Sequence, residues 1–320
     1  MLTQATPRFM VTEFSPQGRR LGALRHLVAV GATLAAIVLA HPAFAGDPFR
    51  TENPRAIGDT TERAFRVLFQ EGNYQESNTI LKDAAKEEPK EPLIYAMKAA
   101  FAYLEEDWDD LDSYATRTRE TAEELTTTDA LRGNLYTAVG HFLEGAYIIS
   151  REGTIRGTPQ ALNKLQKVFH HLGEAEKISA EDPEVNLIKG FMDLMLAVNL
   201  PFADPAEAIK RLRDYAGPDY LAYRGLAVGY RDLDKYAEAL AAVNQALQIT
   251  PDNPELFYLK AQILVEKGGD RDLALLQEAQ ANFDAALAQA PAKFPPGLQR
   301  QLQKERDRNA RRIQRLTAPS

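Results

Sequence analysis

Side chains able to do chemistry are sparse in this chain. None of its 320 residues is cysteine, which removes disulfides, thiolate nucleophiles and cysteine-ligated zinc. Three histidines, His141, His170 and His171, lie beyond the leader-like first 45 residues. His170 and His171 stand four and three residues before Glu174, a helical spacing that could present two metal donors. A structural zinc site needs four ligands, no third is in register, and no H-E-x-x-H occurs. These side chains read as solvated or interhelical polar residues. A second cluster, Glu105, Glu106, Asp107, Asp109, Asp110 and Asp112, surrounds Trp108. As a calcium loop it fails, because Leu111 takes an acidic place and no glycine follows. It fits the start of a helix, whose dipole favours acids in the first turn. No phosphate-binding glycine loop and no G-x-S-x-G elbow is present. Carboxylates are abundant, but abundance designates no glycosidase pair. No catalytic residue, metal ligand or cofactor site is therefore assigned, and the expectation is a non-enzyme.

Charge narrows the partners. The formal charge is −7, and residues 1–45 carry Arg8, Arg19, Arg20 and Arg25 against Glu13, so the remainder stands at −10. Such a chain is a poor nucleic-acid binder, since phosphate contacts require clustered cations. One stretch runs the other way: Arg300, Lys304, Arg306, Arg308, Arg311, Arg312 and Arg315 face only Glu305 and Asp307. This tail could contact an anionic membrane surface or an acidic partner. A solvated capping helix is the favoured reading, because Arg306 and Asn309 interrupt the stripe Leu298, Leu302, Ile313 and Leu316.

The elements behind these residues begin with an address. Arg19, Arg20 and Arg25 precede the uncharged run Leu27–Ala40, then Pro42 and Ala43-Phe44-Ala45. A basic start, a short apolar stretch and an A-x-A site describe a secretory signal cleaved near Ala45. The expected location is the periplasm, with a thylakoid lumen or the extracellular space as equivalents. Met10 offers an alternative start. Fourteen residues are too few for a comfortable span, and Val185–Leu200 is broken by Asn186, Lys189, Asp193 and Asn199, as in a buried helix. Residues 46–57 form a short linker.

Helix formers dominate the rest, and strand-like alternation is missing, so the class is all-α. From Asp219 to Pro254, large Tyr223, Leu226 and Tyr230 recur on one helical face, and small Ala227, Ala239 and Ala246 permit close helix approach. Pro251 ends the second helix. A period of 34 carries Leu68 to Ala102, Tyr74 to Trp108, Leu81 to Ala115, and Gly58 through Pro92 to Thr126. These residues resemble the tetratricopeptide (TPR) pattern W-x₂-L-G-x₂-Y…A-x₃-F…P, with Tyr223 for Trp, Ala227 for Gly and Val243 for Phe. The expected array spans 58–294 in about six helix pairs. It is irregular over 126–219, where a polar loop (151–158) separates two helices, and a capping helix occupies 295–320.

The resemblance implies a right-handed superhelical solenoid whose concave face, lined by the first helix of each pair, binds a protein or peptide. Carried over by position, the contacts fall on Tyr103, Asn134, Phe191, Arg224, Val228, Arg231, Tyr258 and Gln262, with Ala96, Ala100, Thr137, Leu187, Leu194 and Val265 beside them. Core burial is an equal alternative for Leu187, Phe191 and Leu194. The Lys–Asn carboxylate clamp of some TPR domains is missing, because Ala130 precedes Asn134 by one turn. The expected function is an exported scaffold assisting an envelope complex. The alternative is an envelope enzyme or carbohydrate-binding protein with its site in 126–219.

Overall fold

The computed structural model describes residues 46–199 and 205–318, so the expected signal peptide lies outside the described residues. Among the described residues the chain forms helices and turns, without strands. In order these are α1 (Asp59–Phe69), α2 (Tyr74–Glu87), α3 (Pro92–Glu105), α4 (Trp108–Leu125), α5 (Ala130–Ile178) and α6 (Pro183–Asn199). They continue with α7 (Pro205–Asp214), α8 (Asp219–Asp232), α9 (Tyr236–Ile249), α10 (Pro254–Gly268), α11 (Leu273–Lys293) and α12 (Pro296–Thr317). Neighbours pack in antiparallel pairs as a TPR-like solenoid, with α12 against α11 at the end.

Local chemistry sets the boundaries. Helices α3, α6, α7, α10 and α12 open on proline, whose missing N–H is no loss in the first turn. Side chains of Asn73, Asp107, Asp129, Asn253 and Asp272 accept from backbone N–H groups of the turn they cap, each worth about 1 kcal/mol. The acidic cluster at Trp108 is such a helix start: Asp107 is the cap and Asp109 and Asp110 fill the first turn. Helix α4 has 18 residues where α2 has 14, so the next unit opens at Ala130 rather than at the periodic Thr126.

The expected loop 151–158 is instead helical, apart from a reversal at Gly153 (φ 76°, ψ 167°). Nine residues of straight helix would separate Ile148 from Gly157 by about 13 Å. Yet a Cβ on Gly157 would sit 3.0 Å from the Ile148 carbonyl oxygen. Thus α5 is a hairpin with arms 130–152 and 154–178, zipped by Lys164–Glu144 (2.5 Å) and His171–Asn134 (3.0 Å). Its first arm outruns the 14-residue α3 and α8 by roughly 13 Å. The Gly153 backbone lies in a region that L side chains avoid. Gly153→Ala should cost about 1–3 kcal/mol in urea unfolding, although nothing crowds its missing Cβ. An unchanged midpoint would contradict this account of the turn.

The solenoid closes on itself: α11 touches α2, and α12 touches α3. At this seam Asn253 donates to the Phe69 carbonyl (2.9 Å) and Gln75 to the Phe294 carbonyl (2.8 Å). Lys293 donates to the Glu71 carbonyl (2.8 Å), and the Tyr74 ring meets Phe294 edge-on at 5.8 Å. Gly72, at φ 65°, lets the α1–α2 turn approach; a Cβ there would lie 2.6 Å from Asn253 Oδ1.

Residues 46–57, expected as a linker, form a packed strap instead. Phe49 is buried edge-on against Phe65 (5.3 Å). Arg50 bonds Asp47, Asp182 and Glu184, and Arg55 bonds Asp129. The strap thereby ties the starts of α5 and α6 together. At the other end, Asn309 does not break the α12 stripe. It is buried and donates to the Leu276 carbonyl (2.9 Å) and to Gln280 (3.0 Å) on α11.

Candidate partner-binding surfaces

Of the eight residues assigned to a concave face, five lie on α8 and α10, and the other three are spread over α3, α5 and α6. Arg224 on α8 is buried and grips Glu255 at the start of α10 (2.8 and 3.0 Å), and Tyr74 donates to that same carboxylate from α2. Burial alone would lower the Arg224 pKa, but Glu255 and Tyr74 reverse the direction and raise it. Two turns on, buried Arg231 bonds Asp232 (2.8 Å) and Gln262 (3.0 Å), and Gln262 donates to Glu305 on α12 (3.0 Å). Tyr258 lies in the same region against Phe283, its phenol pushed up by burial and by Glu305. Val228 is buried on α8. The structure thus brings Arg231, Gln262 and Tyr258 together where α8, α10 and α12 meet.

Tyr103, Phe191 and Asn134 lie apart from them. Tyr103 packs edge-on against Trp108 (5.8 Å). Phe191 is buried beneath Gly225, whose Cβ would stand 2.7 Å from its ring. Asn134 is half-exposed and engages His171. Six of the eight are buried, and only Asn134 and Gln262 keep partial exposure. Leu187 and Leu194 are buried as well, which matches the core alternative.

Sequence reasoning missed a buried charge network. Arg132 on α5, almost fully enclosed, bonds both oxygens of Glu91 (2.8 and 2.9 Å) and reaches Glu184 (3.3 Å). Tyr136 donates to Glu184 (2.7 Å), and Arg50 closes the far side (2.9 Å). Burial pushes the Glu184 carboxyl up, but Arg132, Arg50 and Tyr136 outweigh it and hold it below the usual range. For Asp182 burial wins over Arg50, and its carboxyl is raised. A signal did exist in the sequence: acids flank the helix-opening prolines in Glu91-Pro92, Asp182-Pro183-Glu184 and Pro254-Glu255. That motif sets carboxylates at the starts of α3, α6 and α10, within reach of arginines on the intervening α5 and α8.

In the irregular region, the Glu144 carboxylate collects His141 (2.9 Å), Lys164 (2.5 Å) and Arg119 (2.9 Å). Burial raises it, but these donors outweigh burial and hold it at about 2. The cluster fastens both α5 arms to each other and to α4. Among the described residues, no group of three metal-ligating side chains could hold an ion, and no helix is long and apolar enough to cross a membrane.

A cleft opens between α11 and α12. About 690 Å³ in volume, it has an apolar floor of Leu287, Ala290 and Pro291. Its rim carries Gln299, Arg300, Gln303, Lys304, Asp307 and Arg311. Arg300, Lys304 and Arg311 are exposed. Arg306 and Arg312 of the same helix are held by Asp284 (2.8 Å) and Asp270 (3.0 Å). The cleft therefore offers an apolar surface beneath excess positive charge, on a chain that is acidic elsewhere.

A family profile described as a TPR repeat matches residues 230–268, the end of α8 with α9 and α10. No curated protein and no solved structure matches the chain. The matched repeat supports the TPR family, whose helical repeats typically act as non-enzymatic scaffolds for protein–protein contacts.

Proposed function

We propose that the chain is an exported scaffold, released near Ala45, which binds a segment of a partner protein and assists an envelope complex. The observation that carries this reading is the α11–α12 cleft. An apolar floor gives a peptide side chain somewhere to bury, and Arg300, Lys304 and Arg311 select acidic segments by complementarity. The residues first placed on a concave face act mainly inside the fold. A ligand reaching Arg224 or Arg231 would have to displace Glu255, Asp232 and Gln262.

Affinity capture from an envelope extract tests this reading, with the tagged chain and a Lys304→Glu/Arg311→Glu variant run side by side. Reversing two rim charges should reduce recovery of the specific partners about tenfold, and more at low salt than at high salt. Partners recovered equally by both proteins would remove the cleft from the reading. The N-terminus of the exported protein, read by mass spectrometry, should begin at Gly46; retention of residues 1–45 would refute the processing step.

A further inference from the structure

The second arm of α5 exposes large apolar side chains at an even interval. Ile155 is 81% exposed, Leu162 53% and Phe169 47%. They stand seven residues apart, two helical turns, so they fall in one row about 21 Å long on the outward side of the arm. Their inward neighbours Val168 and Leu172 are buried, so the row is additional to the core-facing stripe. It starts at the tip that overhangs the neighbouring repeats. Arg156 and Lys167 stand at the other edge of the arm's exposed face, more than about 100° around the helix from the row, and Arg151 lies just across the Gly153 turn; all three are exposed, with Glu152 as the nearby acid. Lys164 is already committed to Glu144, and Glu174 and Glu176 appear only past Phe169.

We propose that this arm docks on an anionic lipid surface, with Ile155, Leu162 and Phe169 entering the headgroup boundary and Arg151, Arg156 and Lys167 meeting lipid phosphates. An apolar row together with free cations has the composition of an interfacial helix, and each cation near an anionic membrane adds to the attraction. A second copy of the chain fits less well. Pairing along the row would bury its side chains but leave Arg156 and Lys167, more than about 100° away around the helix, without an acidic partner. The surface is separate from the α11–α12 cleft and does not depend on that reading.

The absence of cysteine makes a site-specific test direct. Gln166→Cys, an exposed position between Leu162 and Phe169, carries an environment-sensitive fluorophore on the full chain; Gln245→Cys on α9 is the control. With vesicles of phosphatidylglycerol and phosphatidylcholine, emission from position 166 should shift to the blue, while position 245 stays unchanged. Arg156→Glu/Lys167→Glu should weaken the apparent vesicle affinity at position 166 by about tenfold or more. Both proteins carry residues 1–45, so an apolar leader cannot account for the difference. No blue shift at 166, an equal shift with pure phosphatidylcholine, or an unchanged affinity after charge reversal would each overturn the proposal. A concentration-dependent dimer without lipid, abolished by Leu162→Glu, would overturn it in favour of self-association.

Discussion

Arg132→Met should lose about 3–5 kcal/mol of stability at neutral pH, the usual consequence of removing one partner from a buried ion pair. Arg132 lies between Glu91 and Glu184, both buried, and its removal strips Glu91 of both guanidinium hydrogen bonds, leaving it the Leu93 N–H. The pH dependence identifies the cause. In the native chain the Glu184 carboxyl is held below its ordinary range. It therefore contributes stability that is present above the unfolded pKa and is lost as pH falls through the folded one. Without Arg132, burial acts against a Glu184 carboxylate that has lost a counter-charge, and it relieves this by taking up a proton. The penalty is then largest above the ordinary carboxylate range and shrinks in acid. Urea unfolding at pH 7 and near pH 4.5 should show the gap between variant and parent narrowing. An equal loss at both values would point to lost packing against Tyr136 instead.

Reversing Arg224 should open the seam. In Arg224→Glu a second carboxylate faces Glu255 in a buried site, and Tyr74 can donate to only one of them. The loss should exceed about 3 kcal/mol, and it falls on the contact between α8, α10 and α2. Spin labels on Thr79→Cys in α2 and Ala288→Cys in α11, both exposed, report the distance across the closure. The parent should give one short, narrow distribution, and the variant a longer and broader one. An unchanged distribution would mean that backbone-directed bonds such as Asn253 to Phe69 and Gln75 to Phe294 hold the seam alone. Arg224 would then return as a candidate for ligand contact.

What could be read in the sequence was local. Tyr223, Leu226, Ala227, Ala239, Val243 and Ala246 announce a helix pair because their spacing reflects one turn of helix, and all six lie in or against the core. Pro92, Pro183 and Pro254 open helices for an equally local reason. The stretch 151–158 misled because Gly153, Gly157 and Pro159 together resemble a loop. Only Gly153 turns the chain; Gly157 is where the arms touch, and Pro159 is tolerated near the start of the second arm. The closure could not be read, since it accumulates from small rotations at every pair. Arg224 and Arg231 looked like surface cations on a first-helix face because the residues that enclose them, Tyr74 and Glu305 among them, lie far away in the chain. The basic tail was legible as a cap. Its cleft was not, because Arg300, Lys304 and Arg311 differ from the paired Arg306 and Arg312 only through Asp284 and Asp270 on other elements.

Contact between the first and last helix pairs also changes how such a chain can evolve. An open solenoid gains or loses a repeat with little penalty, because each unit answers only to its neighbours. Here an extra pair would move Phe294 and Asn253 away from Tyr74 and Phe69, and a missing pair would drive them together. The chain has become a gauge of its own length: duplication or deletion of a repeat, the ordinary currency of change in such families, breaks a contact that no point substitution nearby can restore.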